Sequence, residues 1–182
     1  MFMDPGSSPG RRVRIGPSDM TSLDKARAIA IAVPAALLAG AYGSEIIGGL
    51  HPCEMCWWQR YAHFAGLGFA LLSLLLRNAP DRGRSFVWLA ALGILASGGI
   101  GAYHAGVELG VFEGFTTCTS TASAGLSTEE LLKQVMAAPI VRCDDVQFSF
   151  LGISMAGWNA ILSILAALSV LWLSLRRPRA GA

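Results

Sequence analysis

A chain of 182 residues with 53% hydrophobic and only 14% charged residues is too apolar for an ordinary soluble domain, where charged residues make up about a quarter. Its mean hydropathy of +0.51 is gathered into long runs, which marks a small, one-domain integral membrane protein. The net charge of +2 is no basis for a nucleic-acid partner; the placement of the basic residues carries more information than their sum.

Taken in order, residues 1–24 are polar, rich in Gly, Pro and Ser, and carry the cluster Arg11, Arg12 and Arg14. They read as a disordered tail. The tail has no apolar h-region, no clear cleavage site follows the first apolar run, and Met20 is an alternative start. A membrane domain is expected over residues 25–176, with a short basic tail at 177–182. Its first span is expected at about 28–50, long enough to cross the hydrocarbon core. Pro34 is tolerable there where neighbours satisfy the freed carbonyl. Gly40, Ser44 and Gly48 fall four apart, a small-residue ridge suited to close helix packing. Glu45 reads either as an interfacial carboxylate or as a proton-handling group.

The stretch His51-Pro52-Cys53-Glu54-Met55-Cys56-Trp57-Trp58-Gln59-Arg60 separates this run from the next. Pro52 breaks the preceding segment, so Cys56 is expected at a helix N-terminus, where the dipole and unpaired N–H groups favour a thiolate. Arg60 lies one turn further on and adds a fixed positive charge. The second span is expected at 57–76, with Trp57 and Trp58 as interfacial aromatics and His63 packed inside the bundle. Ala62, Gly66 and Ala70 form a second small ridge. A polar turn at 77–84 leads to the third span at 85–103, in which Gly93, Ser97 and Gly101 are again four apart. The fourth span is expected at 150–175.

Residues 104–149 form the long loop, which holds Cys118 and Cys143. Within it Ser127 and Glu130 have capping-box spacing, and Leu126 with Leu131 matches a hydrophobic staple. Leu131, Leu132, Val135 and Met136 make one apolar face ended by Pro139, a short amphipathic helix suited to the membrane surface.

Eleven of the fourteen basic residues fall in the N-terminal region, the 77–84 turn and the C-terminus; only Arg60, Lys133 and Arg142 lie elsewhere. The positive-inside rule puts both termini in the cytoplasm. All four cysteines then face the oxidising side, where disulfides persist. The expected architecture is an all-α membrane protein: a four-transmembrane-helix bundle with a long periplasmic loop carrying a short amphipathic helix.

One tight cysteine pair at the membrane and a second pair on a loop suit a thiol–disulfide relay, which needs a thiolate, an accessible sulfur and a good leaving group. Two structural disulfides are the plainer reading, but closing a four-residue loop gains little entropy. A four-thiol zinc site would want a second Cys-x-x-Cys, which is absent. Trp57 after Cys56 rules out a c-type haem motif.

Three features together resemble the DsbB family of bacterial inner-membrane disulfide bond formation proteins: Pro52-Cys53-x-x-Cys56 with Gln59-Arg60, Cys118 and Cys143 bracketing a loop helix, and Phe150-Leu151-Gly152-Ile153-Ser154-Met155. The resemblance implies that a Cys118–Cys143 disulfide accepts electrons from a reduced periplasmic DsbA-like thiol oxidase, Cys118 being attacked first. Cys143 then attacks Cys53, and Cys56 engages a membrane quinone, ubiquinone or menaquinone. It also implies quinone contacts for Arg60 and His104, and no metal. Some members carry Glu where this chain has Gln59. A vitamin K epoxide reductase-like enzyme, whose Cys-x-x-Cys usually comes late in the chain, and a non-enzymatic scaffold with two structural disulfides are the alternatives.

Overall fold

The computed structural model describes residues 20–113, 127, 129 and 141–176. Among these, helix α1 spans Ser22–Ile46, α2 Glu54–Leu75 and α3 Arg84–Glu108; strands β1 (Ser149–Phe150) and β2 (Ile153–Ser154) then lead into α4, Met155–Leu175. Cys118, the expected amphipathic helix beyond Ser127 and Glu129, residues 1–19 of the N-terminal tail and the C-terminal tail at 177–182 lie outside the described residues. Residues 22–24, expected as the end of a disordered tail, are the first turn of α1.

Each long apolar run is a helix, but the ends differ from the sequence expectation. Helix α1 begins six residues before 28, because Thr21 and Asp24 form a reciprocal capping box that satisfies the first orphan N–H groups. Arg27 is thereby drawn into the helix and is only 3% exposed. It donates to Asp24 Oδ1 at 2.7 Å and to the carbonyl of Arg82, which ties α1 to the turn between α2 and α3. In that turn Arg82 and Gly83 are left-handed, with φ 57° and 69°. A Cβ on Gly83 would also meet the Ser73 carbonyl oxygen at 2.6 Å, so glycine is required twice over.

Helix α3 runs to Glu108, beyond the expected end at 103, so His104 belongs to the helix rather than to the loop. Helix α4 starts at Met155 rather than 150, because residues 149–154 form a hairpin with Phe150 paired to Ile153. Its two-residue loop has Leu151 and Gly152 at φ 53° and 77°, the signs of a type I′ turn. Ser154 then caps α4 by accepting from the Gly157 N–H at 3.1 Å and donates to the Glu108 carboxylate. The hairpin therefore fixes the start of α4 against the end of α3.

Helix α3 is the central element and packs mainly on α4 and α2. One half of the bundle is dry, built around Val87, Ala90, Ala91 and Ile94 of α3 with Ala70, Ala167 and Val170. The small residues of the second and third ridges let the backbones close in. A Cβ on Gly93 would sit 2.9 Å from Gly66 Cα, and one on Gly101 would sit 3.0 Å from the Ala156 carbonyl. The first ridge behaves differently. Gly40 has nothing within 4 Å of an added Cβ, because this face of α1 borders a cleft instead of a helix.

Leu71, Leu75, Leu92, Leu165, Leu168 and Trp172 are all exposed, an apolar exterior that a lipid solvent would accept. Among the described residues three helices, α1, α3 and α4, are long and apolar enough to cross a membrane. Helix α2 has the length, with 22 residues. Gln59, Arg60 and His63, all buried in its first half, lower its hydropathy.

Gly93→Ala should cost about 1–3 kcal/mol, because the new methyl meets backbone that cannot rotate away. Gly40→Ala should be neutral, or stabilising by up to about 1 kcal/mol, since alanine is the better helix former and the space is open. Thermal unfolding of the two variants in detergent micelles checks the contrast; equal transition temperatures would contradict the close α2–α3 approach.

Candidate functional site

Pro52 ends the connection from α1, and Cys53, with φ −76° and ψ 175°, is the N-cap of α2. Cys56, expected at a helix N-terminus, is the third residue of α2 and lies in its first turn, where its N–H donates to Cys53 Sγ at 3.3 Å. The sulfur occupies the place that a serine or aspartate oxygen usually fills at a cap. The two sulfurs lie 2.9 Å apart and are free thiols, as is Cys143.

Cys143 is brought to the same place from the far end of the loop. It packs with Cys53, Met55 and Val107, and the Gln147 amide donates to the His51 carbonyl at 2.8 Å, pinning the chain after Cys143 to the segment before Cys53. The sulfurs of Cys53 and Cys143 and a ring nitrogen of His104 all lie within 4.8 Å of one another, and all three residues are buried. The hydrogen bond with Cys56, together with burial, pushes the Cys53 thiol up to about 12, against the pull of His104. Burial pushes Cys143 up to about 11, although the Met55 and Glu54 backbone N–H groups pull the other way. Both sulfurs are therefore thiols at neutral pH.

A polar network runs inward from this cluster, and its proton positions can be assigned from the backbone. Gln59 Nε2 lies 3.2 Å from the Met55 carbonyl, which only accepts, so this end of the amide is the donor. The same nitrogen lies 3.0 Å from His104 Nδ1. His104 Nδ1 must then accept, which leaves the proton on Nε2. From there it can be donated to the Cys143 carbonyl at 3.1 Å and towards Cys53 Sγ at 3.6 Å. On the other side, Gln59 Oε1 accepts from Asn159 Nδ2 at 2.7 Å, and Asn159 Nδ2 also donates to the Ser97 carbonyl at 3.2 Å. Asn159 Oδ1 therefore faces His63 Nε2, 2.8 Å away, and Nε2 carries the His63 proton. His63 Nδ1 is buried and has no partner among the described residues.

Arg60 is 5% exposed. It pairs with Glu45 at 2.5 Å, donates to the Ala41 carbonyl at 3.1 Å, and lies over the rings of Tyr42 and Trp57 at 4.5 and 4.9 Å. Glu45 is thus the counter-ion of Arg60, and Trp57 holds the guanidinium. Arg60 has donors beyond these bonds. Cys56, Arg60 and His63 follow one another at helical spacing along α2, and all three line a cleft of about 240 Å³ between α1 and the other helices, as do His104 and Asn159.

Of the expected site residues, Cys53, Cys56, Cys143, Arg60 and His104 converge; Cys118 lies outside the described residues. Asn159 and Ser97 were missed. The available signal for Asn159 was a lone amide in an otherwise apolar fourth run, and polar groups at such depth are seldom idle. Ser97 had been read only as a small packing residue.

The family model of Disulfide bond formation protein DsbB matches residues 24–173. A Disulfide bond formation protein B of an Azoarcus species is 32% identical over 148 residues, covering 76% of this chain and 84% of its own length. That of Saccharophagus degradans is 31% identical over 145 residues, covering 78% and 86%. An uncharacterized protein of Rickettsia prowazekii is 28% identical over 138 residues, covering 75% and 78%. No solved structure matches. The family match removes the vitamin K epoxide reductase-like and scaffold alternatives: the chain belongs to the DsbB family, membrane thiol–disulfide oxidoreductases.

Proposed function

We propose that this protein reoxidises a periplasmic DsbA-like dithiol oxidase and passes the electrons to a membrane quinone, as a four-span protein of the bacterial inner membrane. Both termini lie in the cytoplasm and the cysteines in the periplasm. The observation that carries the reading is the meeting of Cys143 and Cys53, whose sulfurs lie within 4.8 Å beside a cleft lined by Cys56 and Arg60.

The electron balance is simple. One thiolate of the partner attacks Cys118 of a Cys118–Cys143 disulfide, forming a mixed disulfide and releasing Cys143; the partner's second thiol then closes the partner's own disulfide and releases Cys118. Cys143 then attacks Cys53, releasing Cys56, and re-formation of the Cys118–Cys143 bond leaves Cys53 and Cys56 reduced. Return of that pair to a disulfide gives up two electrons and two protons. Because the oxidase itself sits near −120 mV, the final acceptor must have a higher potential; the DsbA–DsbB–quinone chain is what generally keeps the bacterial periplasm oxidising.

The residues present fit such an acceptor. The cleft borders the open face of α1 at Gly40, and His63, one of its lining residues, has a buried ring nitrogen with no partner among the described residues. A quinone supplies a two-electron, two-proton acceptor when bound. Arg60 would favour negative charge on a ring oxygen, and its pairing with Glu45 and two aromatic rings fixes the guanidinium in advance. His104, with its proton on Nε2, donates towards Cys53 and so favours that sulfur as a leaving thiolate.

Three outcomes are expected. Cys143→Ala should trap a mixed disulfide between Cys118 and the soluble oxidase, seen on non-reducing gels, whereas Cys118→Ala should trap none through the loop; equal trapping would contradict Cys118 as first acceptor. Arg60→Met should slow quinone reduction roughly 5- to 150-fold, the equivalent of about 1–3 kcal/mol for one charge-assisted contact, while thiol exchange at Cys118 stays near wild type. In a cysteine-free background, a cysteine placed at Ser127 should react with a membrane-impermeant thiol reagent in intact cells, and one at Ser85 should not. The reverse pattern would overturn the topology.

A further inference from the structure

We propose that His63 is a ligand-binding residue of the cleft whose Nδ1 accepts a hydrogen bond from a ring hydroxyl, so that the site holds the hydroquinone more tightly than the quinone. This rests on the quinone reading above and extends it to which redox form of the ring the site prefers.

The side chain is 3% exposed, lines the cleft and leaves Nδ1 without a partner among the described residues. A buried polar atom left unpaired is costly, and native structures rarely tolerate one without a use. Rotating the ring does not relieve it. A half-turn about the ring axis would bring carbon to Asn159 Oδ1 and lose the 2.8 Å bond from Nε2. Nor can Asn159 turn over, because its Nδ2 is committed to Gln59 Oε1 at 2.7 Å and to the Ser97 carbonyl at 3.2 Å. Ser163, the other polar neighbour, has its hydroxyl at 3.1 Å from Asn159 Oδ1 and 3.4 Å from His63 Nε2, which engages the same side of the ring. The neutral imidazole is thus held as the Nε2–H tautomer, and Nδ1 can only accept.

That fixes the chemistry of its ligand. A quinone presents only carbonyl acceptors, which an accepting nitrogen cannot bond. A hydroquinone presents hydroxyl donors, which it can. Arg60, one turn earlier on the same face of α2, only donates, so the wall offers a donor for a carbonyl or oxyanion and an acceptor for a hydroxyl. Tighter binding of the reduced form raises the potential of the bound couple; a tenfold preference is worth about 30 mV for two electrons. His63 thereby strengthens the pull on the Cys53–Cys56 dithiol without touching a sulfur.

The test uses the full-length protein in detergent with its cysteines oxidised, so that no thiol can reduce the ligand. Decyl-tailed benzoquinone and its hydroquinone are titrated calorimetrically under anaerobic conditions. His63→Gln keeps an N–H for Asn159, but its amide oxygen branches from the carbon that replaces Cδ2, on the side away from Nδ1, so the acceptor is lost from the Nδ1 position. The variant should lower the hydroquinone-to-quinone affinity ratio about two- to tenfold with quinone affinity unchanged. Independently of any variant, in protein labelled with ¹⁵N-histidine the unprotonated His63 Nδ1 signal should move on adding hydroquinone and not on adding quinone. An unaltered ratio in a folded His63→Gln protein, or an unmoved Nδ1 signal at saturation with hydroquinone, overturns this proposal and leaves the quinone reading standing. Failure of wild type to bind either compound overturns both.

Discussion

The Gln59 side-chain amide can point only one way, and the rest of the site depends on it. Its nitrogen faces the Met55 carbonyl and its oxygen faces the Asn159 amide nitrogen. Turning it over would set oxygen against a carbonyl on one side and nitrogen against nitrogen on the other. Because the amide is fixed, His104 must accept at Nδ1 and carry its proton at Nε2, facing Cys53 and the Cys143 carbonyl. Through Asn159 the same constraint sets the tautomer of His63. One glutamine on α2 thus assigns the protons of two histidines on two helices, and backbone carbonyls at both ends prevent the chain of bonds from reversing.

This arrangement explains why α2 is less apolar than its neighbours. Isolated in hydrocarbon, Gln59, Arg60 and His63 would be expensive; here each is buried against a partner on another helix. Gln59 and His63 reach Asn159 of α4, and Arg60 reaches Glu45 of α1. The polar groups occupy one half of the bundle, and the alanine-rich core around Ile94 fills the other. The dry half needs only small residues at the close approaches, as at Gly66 and Gly93. It holds the helices in register, so that the polar half can meet bond by bond.

Much of this was legible in the sequence, and the gaps have physical causes. Long apolar runs announce helices because length and composition suffice for that. They do not announce ends, which depend on caps: Thr21 with Asp24 moved the start of α1, and the Leu151–Gly152 turn cut five residues from the expected fourth span. Spacing placed Cys56 and Arg60 on one helical face correctly, since that is intrinsic to the helix. It could not say which cysteine caps the helix, because Cys53 caps it with a sulfur. The Gly40 ridge misled because small residues permit close packing without compelling it, and here the open face borders the cleft. The approach of Cys143 to Cys53 joins positions 90 residues apart; only the family resemblance pointed to it.

In the relay proposed above Cys53 is the sulfur common to both halves, and its position as a helix cap suits it to that role. A cap lies half outside its helix, so its side chain can be approached both from the first turn, where Cys56 sits at 2.9 Å, and from the loop side, where Cys143 sits within 4.8 Å. The Cys56 backbone N–H points at the Cys53 sulfur, and the Met55 and Glu54 N–H groups act on Cys143. The orphan donors that every helix N-terminus carries are therefore shared between the two sulfurs proposed to exchange a bond. Burial opposes ionisation of both thiols, with Cys53 held near 12 and Cys143 near 11. The N–H donors and the His104 proton pull against that burial at the junction itself, so the sulfur that departs during exchange is met by hydrogen-bond donors already in place.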